Sequence, residues 1–337
     1  MNKDILKKIA EVLKQNITII IIFVIVFIFF TFQLPYYIET PGGIINTSER
    51  IDIDRKYKQK GSYNLAYVGE LRATIAFLIY SKINKDWKVI PKNEVVLDNE
   101  TLEEAEFREH LMLEEANNTA IKIAYDKADK EYNIIKNEMY ITYIDEMAKT
   151  NMKIKDKIIS IDDQQLNSKQ EINNYIKSKK VGDKLKIKVI NKGKKYDRYA
   201  TIIKYKNKKM IGIIITEKQE LETDPNIEIK FKNSESGASG GLMMSLSIYD
   251  SLIKEDLTKG LKIAGTGTID ENGLVGEIDG VKYKLIGAVD SGADLFLVPS
   301  GNNYKEAVKT KEEKGYKIKI IKIKTFDEAV KYLKKND

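Results

Sequence analysis

Between Gln15 and Ile38 the chain carries no charged residue, and from Ile17 to Phe32 it is almost wholly isoleucine, valine and phenylalanine. About 20 apolar residues span a bilayer as a helix, so this run predicts a transmembrane helix over residues 15–35. A cleaved leader has an apolar region of only about 7–15 residues that ends in small side chains. Here the run is longer and leads into Phe32-Gln33-Leu34-Pro35-Tyr36-Tyr37. Lys3, Lys7, Lys8 and Lys14 precede it and Glu39 follows. That asymmetry predicts a single-pass protein of the cell membrane, with residues 1–14 as a cytoplasmic tail and the C-terminal domains extracytoplasmic.

The remaining chain is long enough for two or three domains, and 42% hydrophobic with 32% charged residues reads as globular. The net charge of +7 comes from lysines scattered along the whole length, with no RNA or DNA motif beside them, so no nucleic-acid partner is expected. No stretch matches the phosphate-binding G-x-x-x-x-G-K-[ST] pattern, so no nucleotide is expected either. The absence of cysteine excludes disulfides and thiol catalysis. The only histidine, His110, lies in an acidic helical stretch and reads as an ordinary helix residue. No metal and no cofactor are implied.

Thr40-Pro41-Gly42-Gly43 is a turn signal, and residues 40–130 follow as a strand and helix region. Within it, Ile51–Ile53 and Tyr63–Val68 read as strands and 70–81 as a helix. A long helix is predicted over 101–130, opened by the capping box Thr101-x-x-Glu104. Residues 131–216 read as a β-rich domain, with strands over Met139–Ile144 and Lys157–Ile161 and a helix over Ser168–Ser178 capped by Ser168. A hairpin of Lys184–Ile190 and Tyr199–Tyr205 turns around Asn191-Lys192-Gly193. Residues 220–337 alternate strand and helix and predict an α/β domain.

The chemistry concentrates in Ser236-Gly237-Ala238-Ser239-Gly240-Gly241-Leu242-Met243-Met244. Small neighbours (Gly237, Ala238, Gly240) let an acyl substrate approach the backbone. The following helix aims its N-terminal N–H groups at the serine, which suits a developing oxyanion. The same glycines also suit a close-packed helix start. A serine hydroxyl needs a neighbouring base. With no second imidazole, that base is a lysine, which must be neutral to accept a proton and is made so by burial. Lys282 follows the apolar, Gly-rich Leu274–Val281 and is the expected base; Lys284 falls on a different helix face and is the weaker choice. Thr266, in Ala264-Gly265-Thr266-Gly267-Thr268, is placed to orient the amine or to be satisfied within its own strand.

These motifs resemble the proteolytic domain of Lon proteases (peptidase family S16), which uses a Ser-Lys dyad. The family's G-P-S-A-G corresponds to Gly237–Gly241, and its G-x-V-x-x-I-G-G-x-K to Gly273–Lys282. Upstream, Asp156-x-Ile158-x-x-Ile161-Asp162 and Val181-Gly182-Asp183-Lys184-Leu185-x-Ile187-x-Val189 resemble a PDZ domain of bacterial membrane proteases. The Gly-rich loop before the first strand is replaced by Lys136-Asn137-Glu138-Met139. The whole arrangement resembles the membrane-anchored, PDZ-containing Lon-like proteases of Gram-positive bacteria. The resemblance implies a multidomain α/β and α+β protein and ATP-independent cleavage of extracytoplasmic peptides or proteins by Ser239 and Lys282, in a chain that forms a homo-oligomer. Three departures stand out: Ala238 for the proline, Gly240 for the alanine, and Asp279 for a glycine. They keep open a second reading, a catalytically weak Lon-like scaffold at the membrane that binds peptides.

Overall fold

The computed structural model describes residues 3–335. Contacts divide it into two units, one holding the chain up to Pro41 with Val68–Val95, the other holding Gly42–Tyr67 and everything from Val96 on.

In the first unit the apolar run divides between a helix and a strand, after a separate helix that holds the lysines before it. A helix over Lys3–Gln15 ends at Asn16 (φ −107°, ψ 13°), a second covers Ile17–Thr31, and from Gln33 the chain is a strand. That strand pairs antiparallel with Lys88–Pro91, Tyr36 opposite Pro91 and Glu39 opposite Lys88. Fifteen residues of helix measure about 22 Å at the usual rise of about 1.5 Å, against a hydrocarbon core of about 30 Å. No helix among the described residues is long and apolar enough to cross a membrane. The expected transmembrane helix over 15–35 is therefore corrected. Pro35 cannot supply a helical N–H, and the aromatic and β-branched Tyr36-Tyr37-Ile38 favour sheet, so the end of the run pairs instead of spanning. The helix expected over 70–81 also starts later. The strand Ser62–Thr74 runs through its first residues, and Thr74 Oγ1 accepts from Phe77 N at 3.3 Å to cap a helix over Ile75–Ile83. Trp87 packs edge-on against Phe77 and Tyr80.

The second unit is built on two larger sheets, beside three two-stranded ones among the described residues. One is parallel: Ser62–Leu65 pairs with Lys262–Gly265, which pairs with Leu295–Pro299, which pairs with Lys319–Ile323. Parallel strands covered on both faces read as continuous apolar runs, and every residue of Leu295–Pro299 is buried. Helices Gly241–Leu252, Val281–Asp290, Asn302–Lys314 and Phe326–Lys335 are interleaved with these strands in the chain, giving a core built on Leu242, Leu246, Ile263, Leu297 and Phe326. A 26-residue helix, Leu102–Lys127, packs along Gly241–Leu252. Its capping box is formed: Glu104 N donates to Thr101 Oγ1 at 3.3 Å and Thr101 N to Glu104 Oε2 at 2.9 Å.

The other sheet has five strands in the order Ile213–Asp224, Glu131–Ile144, Lys157–Ile161, Lys184–Asn191, Lys194–Thr201. Its neighbours pair antiparallel. The helix Lys169–Ser178 buries Ile172 and Ile176 in a core with Ile141, Ile161 and Ile187. Lys192 (φ 48°) and Gly193 (φ 74°) form a two-residue turn, with Asn191 opposite Lys194. Two consecutive positive φ values match the twist of the flanking strands, so the second hairpin strand begins at Lys194, ahead of the expected Tyr199. Asp156, fully buried, ties this domain together by accepting from Arg198 Nε (3.0 Å), Asn191 Nδ2 (2.7 Å) and Lys153 N (2.8 Å).

Candidate active site

Ser239 sits, half-buried, just before a helix whose twelve residues, Gly241–Leu252, are all buried. A helix buried on every side is held on every side, and this one fixes the serine loop from behind. Two pairings then lock the loop against the segment after the strand Lys262–Gly265. Gly267 N donates to Ser239 O at 2.8 Å, and Leu242 N donates to Gly267 O at 3.0 Å. From the front, Gly237 N donates to Glu109 O at 3.3 Å, and Arg50 Nε donates to Glu235 Oε2 at 3.0 Å. Burial pushes the Glu235 carboxyl up, but Arg50, together with the N–H and the charge of Lys232, outweighs it and holds the group below the usual carboxylate range. Glycine at 240 lets the helix start close to the strand Ser62–Thr74: a Cβ there would lie 2.9 Å from Leu65 Cδ2.

Thr266 is 1% exposed and bridges the site. Its hydroxyl donates to Ser239 O at 3.1 Å and accepts from Lys284 Nζ at 3.3 Å. Lys284 is itself 4% exposed. It lies in the helix Val281–Asp290, which Gly280 enters in the left-handed conformation (φ 72°). Lys282 is on the same helix, and two residues rotate a helix by about 200°. Its backbone N–H donates to Glu306 Oε1 at 3.3 Å, and its amine lies 5.3 Å from the centre of the Tyr283 ring. The structure thus brings Ser239, Thr266 and Lys284 together and puts Lys282 on the side of the helix Asn302–Lys314. The rotation between the two lysines was legible in the sequence; which of them faces the core was not.

Gly241 N donates to Ala238 O at 3.3 Å, whereas among the described residues no protein acceptor takes the N–H of Ser239 or Gly240. His110 is half-buried in the long helix. Beside the serine loop a cleft of about 1050 Å³ opens, lined by Ala238 and Ile269–Glu271 on one side and by Glu217, Gln219, Asn173 and Lys177 on the other.

The family model of the Lon protease (S16) C-terminal proteolytic domain matches residues 217–335. The chain carries a Lon-type proteolytic domain. A PDZ domain model matches residues 105–198. A Lon protease of Trichlorobacter lovleyi is 32% identical over 95 residues, which are 28% of this chain and 11% of that relative. The match thus spans about a tenth of the relative's length. Among solved structures, the PDZ domain of an SdrC-like protein from Listeria monocytogenes is 26% identical over 25% of this chain and 92% of that one, with a TM-score of 0.23. The second domain of a listeria protein is 30% identical over 25% and 88%, with a TM-score of 0.22. The Lon-type match begins inside the strand Ile213–Asp224. The strand Ser62–Thr74, which completes the Lon-type sheet beside Lys262–Gly265, lies far outside it.

Proposed function

We propose that this chain is a serine endopeptidase in which Ser239 is the nucleophile and Lys284, in place of Lys282, is the base. The observation that carries the reading is the buried hydrogen bond from Lys284 Nζ to Thr266 Oγ1, on the hydroxyl that also binds Ser239 O. Burial works against the charged form of an amine, and a neutral Lys284 accepts the Ser239 Oγ proton as the oxygen attacks the scissile carbonyl. The proton then passes to the leaving amine, and water later cleaves the acyl-enzyme by the same route in reverse. Thr266 aims the amine. The N–H groups of Ser239 and Gly240, at the positive end of the helix Gly241–Leu252, stabilise the oxyanion. The Ser239 hydroxyl makes no hydrogen bond among the described residues, so this contact forms when substrate is bound, as is common for catalytic pairs. Hydrolysis runs without nucleotide, a reading supported by the absence of a phosphate-binding loop in the sequence.

The test uses unfolded casein with the full chain, without and with ATP. Ser239→Ala and Lys284→Met are expected to abolish cleavage with folding intact, while Lys282→Met retains it. Cleavage by Lys284→Met, or its loss only in Lys282→Met, overturns the assignment. ATP-dependent turnover overturns the nucleotide-free reading.

A further inference from the structure

Between Lys177 and Lys209 the chain carries 13 lysines and Arg198 against only Asp183 and Asp197, a local net charge of +12 in a protein whose total is +7. The fold gathers the two ends of this segment. The helix Lys169–Ser178 ends just after Lys177, and the loop that follows leads into the strand Lys184–Asn191. Gly182 N donates to Ile202 O and Ile202 N donates to Asp183 O, both at 2.9 Å. After Ile202 a short antiparallel hairpin, Ile203–Tyr205 with Lys208–Met210, packs on the helix. Lys209 Nζ pins it there, donating to Lys177 O at 2.8 Å and to Lys179 O. The hairpin lies beyond the residues that the PDZ model matches.

Lys177, Lys180, Lys184, Lys204, Lys206 and Lys208 therefore stand at one end of the domain, all exposed. Among the described residues none of the six pairs with a carboxylate. The neighbouring acids are engaged elsewhere: Asp183 accepts from Lys180 N at 2.8 Å, Asp145 from Met147 N at 2.8 Å, and Asp162 from Tyr175 with Lys179 beside it. Lys206 (φ 43°) and Asn207 (φ 65°) make the hairpin turn. Turns of this kind prefer asparagine and glycine, so a lysine there keeps its charge at the tip at a conformational cost. Val181, 53% exposed, and Tyr205, 41% exposed, stand among these lysines.

We propose that this end of the PDZ-like domain is a docking surface for a bilayer rich in anionic lipid. The ammonium groups meet the lipid phosphates, while Val181 and the Tyr205 ring settle into the headgroup layer, where apolar bodies with a polar tip are favoured. A cluster of about 4–8 lysines suits such a surface, each contributing roughly a fivefold gain in partitioning. Nucleic acid fits less well. Its recognition leans on the planar fork of arginine, and the one arginine of the segment, Arg198, is held by the buried Asp156 at 3.0 Å. An apolar tip also has nothing to meet on a phosphate backbone. Docking of this kind is reversible and screened by salt.

The full chain is sedimented with vesicles of phosphatidylcholine alone and of phosphatidylcholine with phosphatidylglycerol in equal parts. The apolar helix Ile17–Thr31, which has no buried residue, adds affinity for either vesicle, so the readout is the gain from the anionic lipid. Replacing the hairpin lysines together (Lys204→Gln, Lys206→Gln, Lys208→Gln) is expected to reduce that gain by about a hundredfold. Replacing three exposed lysines of the Lon-type domain (Lys305→Gln, Lys317→Gln, Lys331→Gln) removes the same charge and should leave the gain nearly intact. Far-UV circular dichroism checks that both variants are folded, and sodium chloride should release the parent from the anionic vesicles. An equal gain in the hairpin variant and the parent overturns the docking surface. So does an equal loss in both triple variants, which reports net charge alone. Binding of single-stranded polydeoxythymidine by a parent that shows no preference for anionic vesicles overturns the lipid assignment in favour of nucleic acid.

Discussion

Replacing Asp250 by asparagine should remove a pH dependence that the fold builds into the nucleophile helix. Asp250 lies in the last turn of Gly241–Leu252 and is 1% exposed. One oxygen accepts from Leu257 N at 2.9 Å, and the buried Tyr63 hydroxyl lies beside the carboxyl. Burial pushes the carboxyl up from 3.8 to about 7, with Asp256 adding to the rise and the Leu257 N–H opposing it. The folded state therefore keeps a proton that the unfolded chain has already lost. Stability from this group is full below about pH 4, falls as the pH rises to about 7, and is level above that. A rise of roughly three units at about 1.36 kcal/mol each gives about 4 kcal/mol in all. Asp250→Asn is uncharged at every pH, so its stability relative to wild type should grow by about 3 kcal/mol between pH 5 and pH 8. Urea denaturation of both proteins across that range, followed by circular dichroism, measures the difference directly. A difference that stays constant from pH 5 to pH 8 would refute a buried carboxyl titrating near neutrality.

Three further changes probe the framework. Gly265→Ala places a Cβ 2.6 Å from Met243 Sδ and 2.7 Å from Leu297 O, so it should cost about 1–3 kcal/mol by thermal melting. Asp156→Ala leaves Arg198 without its buried carboxylate and should destabilise the PDZ-like domain by about 3–5 kcal/mol, seen as an earlier unfolding transition. Thr101→Ala removes the side-chain half of the capping box, leaving the backbone N–H of residue 101 to donate to Glu104, and should cost about 1 kcal/mol in urea, with casein cleavage retained.

Local chemistry was legible and long-range geometry was not. The capping box at Thr101, the Ser168 cap and the Gly-rich serine turn are written within a few residues, and each forms as spelled. Choosing between Lys282 and Lys284 depends on which face of Val281–Asp290 meets Thr266, and Thr266 comes from another element. The end of the apolar run carried its own warning in Pro35 and the tyrosines after it, but run length outweighed that signal in the sequence reading. Nothing near Ser62 announces that its partner is Lys262, or that Glu115 and Asn118 cover a strand edge about a hundred residues away.

That pairing of Ser62 with Lys262 governs how the fold comes into being. As the chain emerges from the ribosome, the strand Ser62–Thr74 has no parallel neighbour until some 200 residues later, after the whole PDZ-like domain has been made. Such distant contacts are slow to close. A nascent or truncated chain that stops short of Lys262 has no sheet on which to mount the serine helix. A fragment begun at residue 217 lacks the strand against which Lys262–Gly265 is laid. The Lon-type sheet that carries the serine helix is therefore complete only after Lys262–Gly265 has been made.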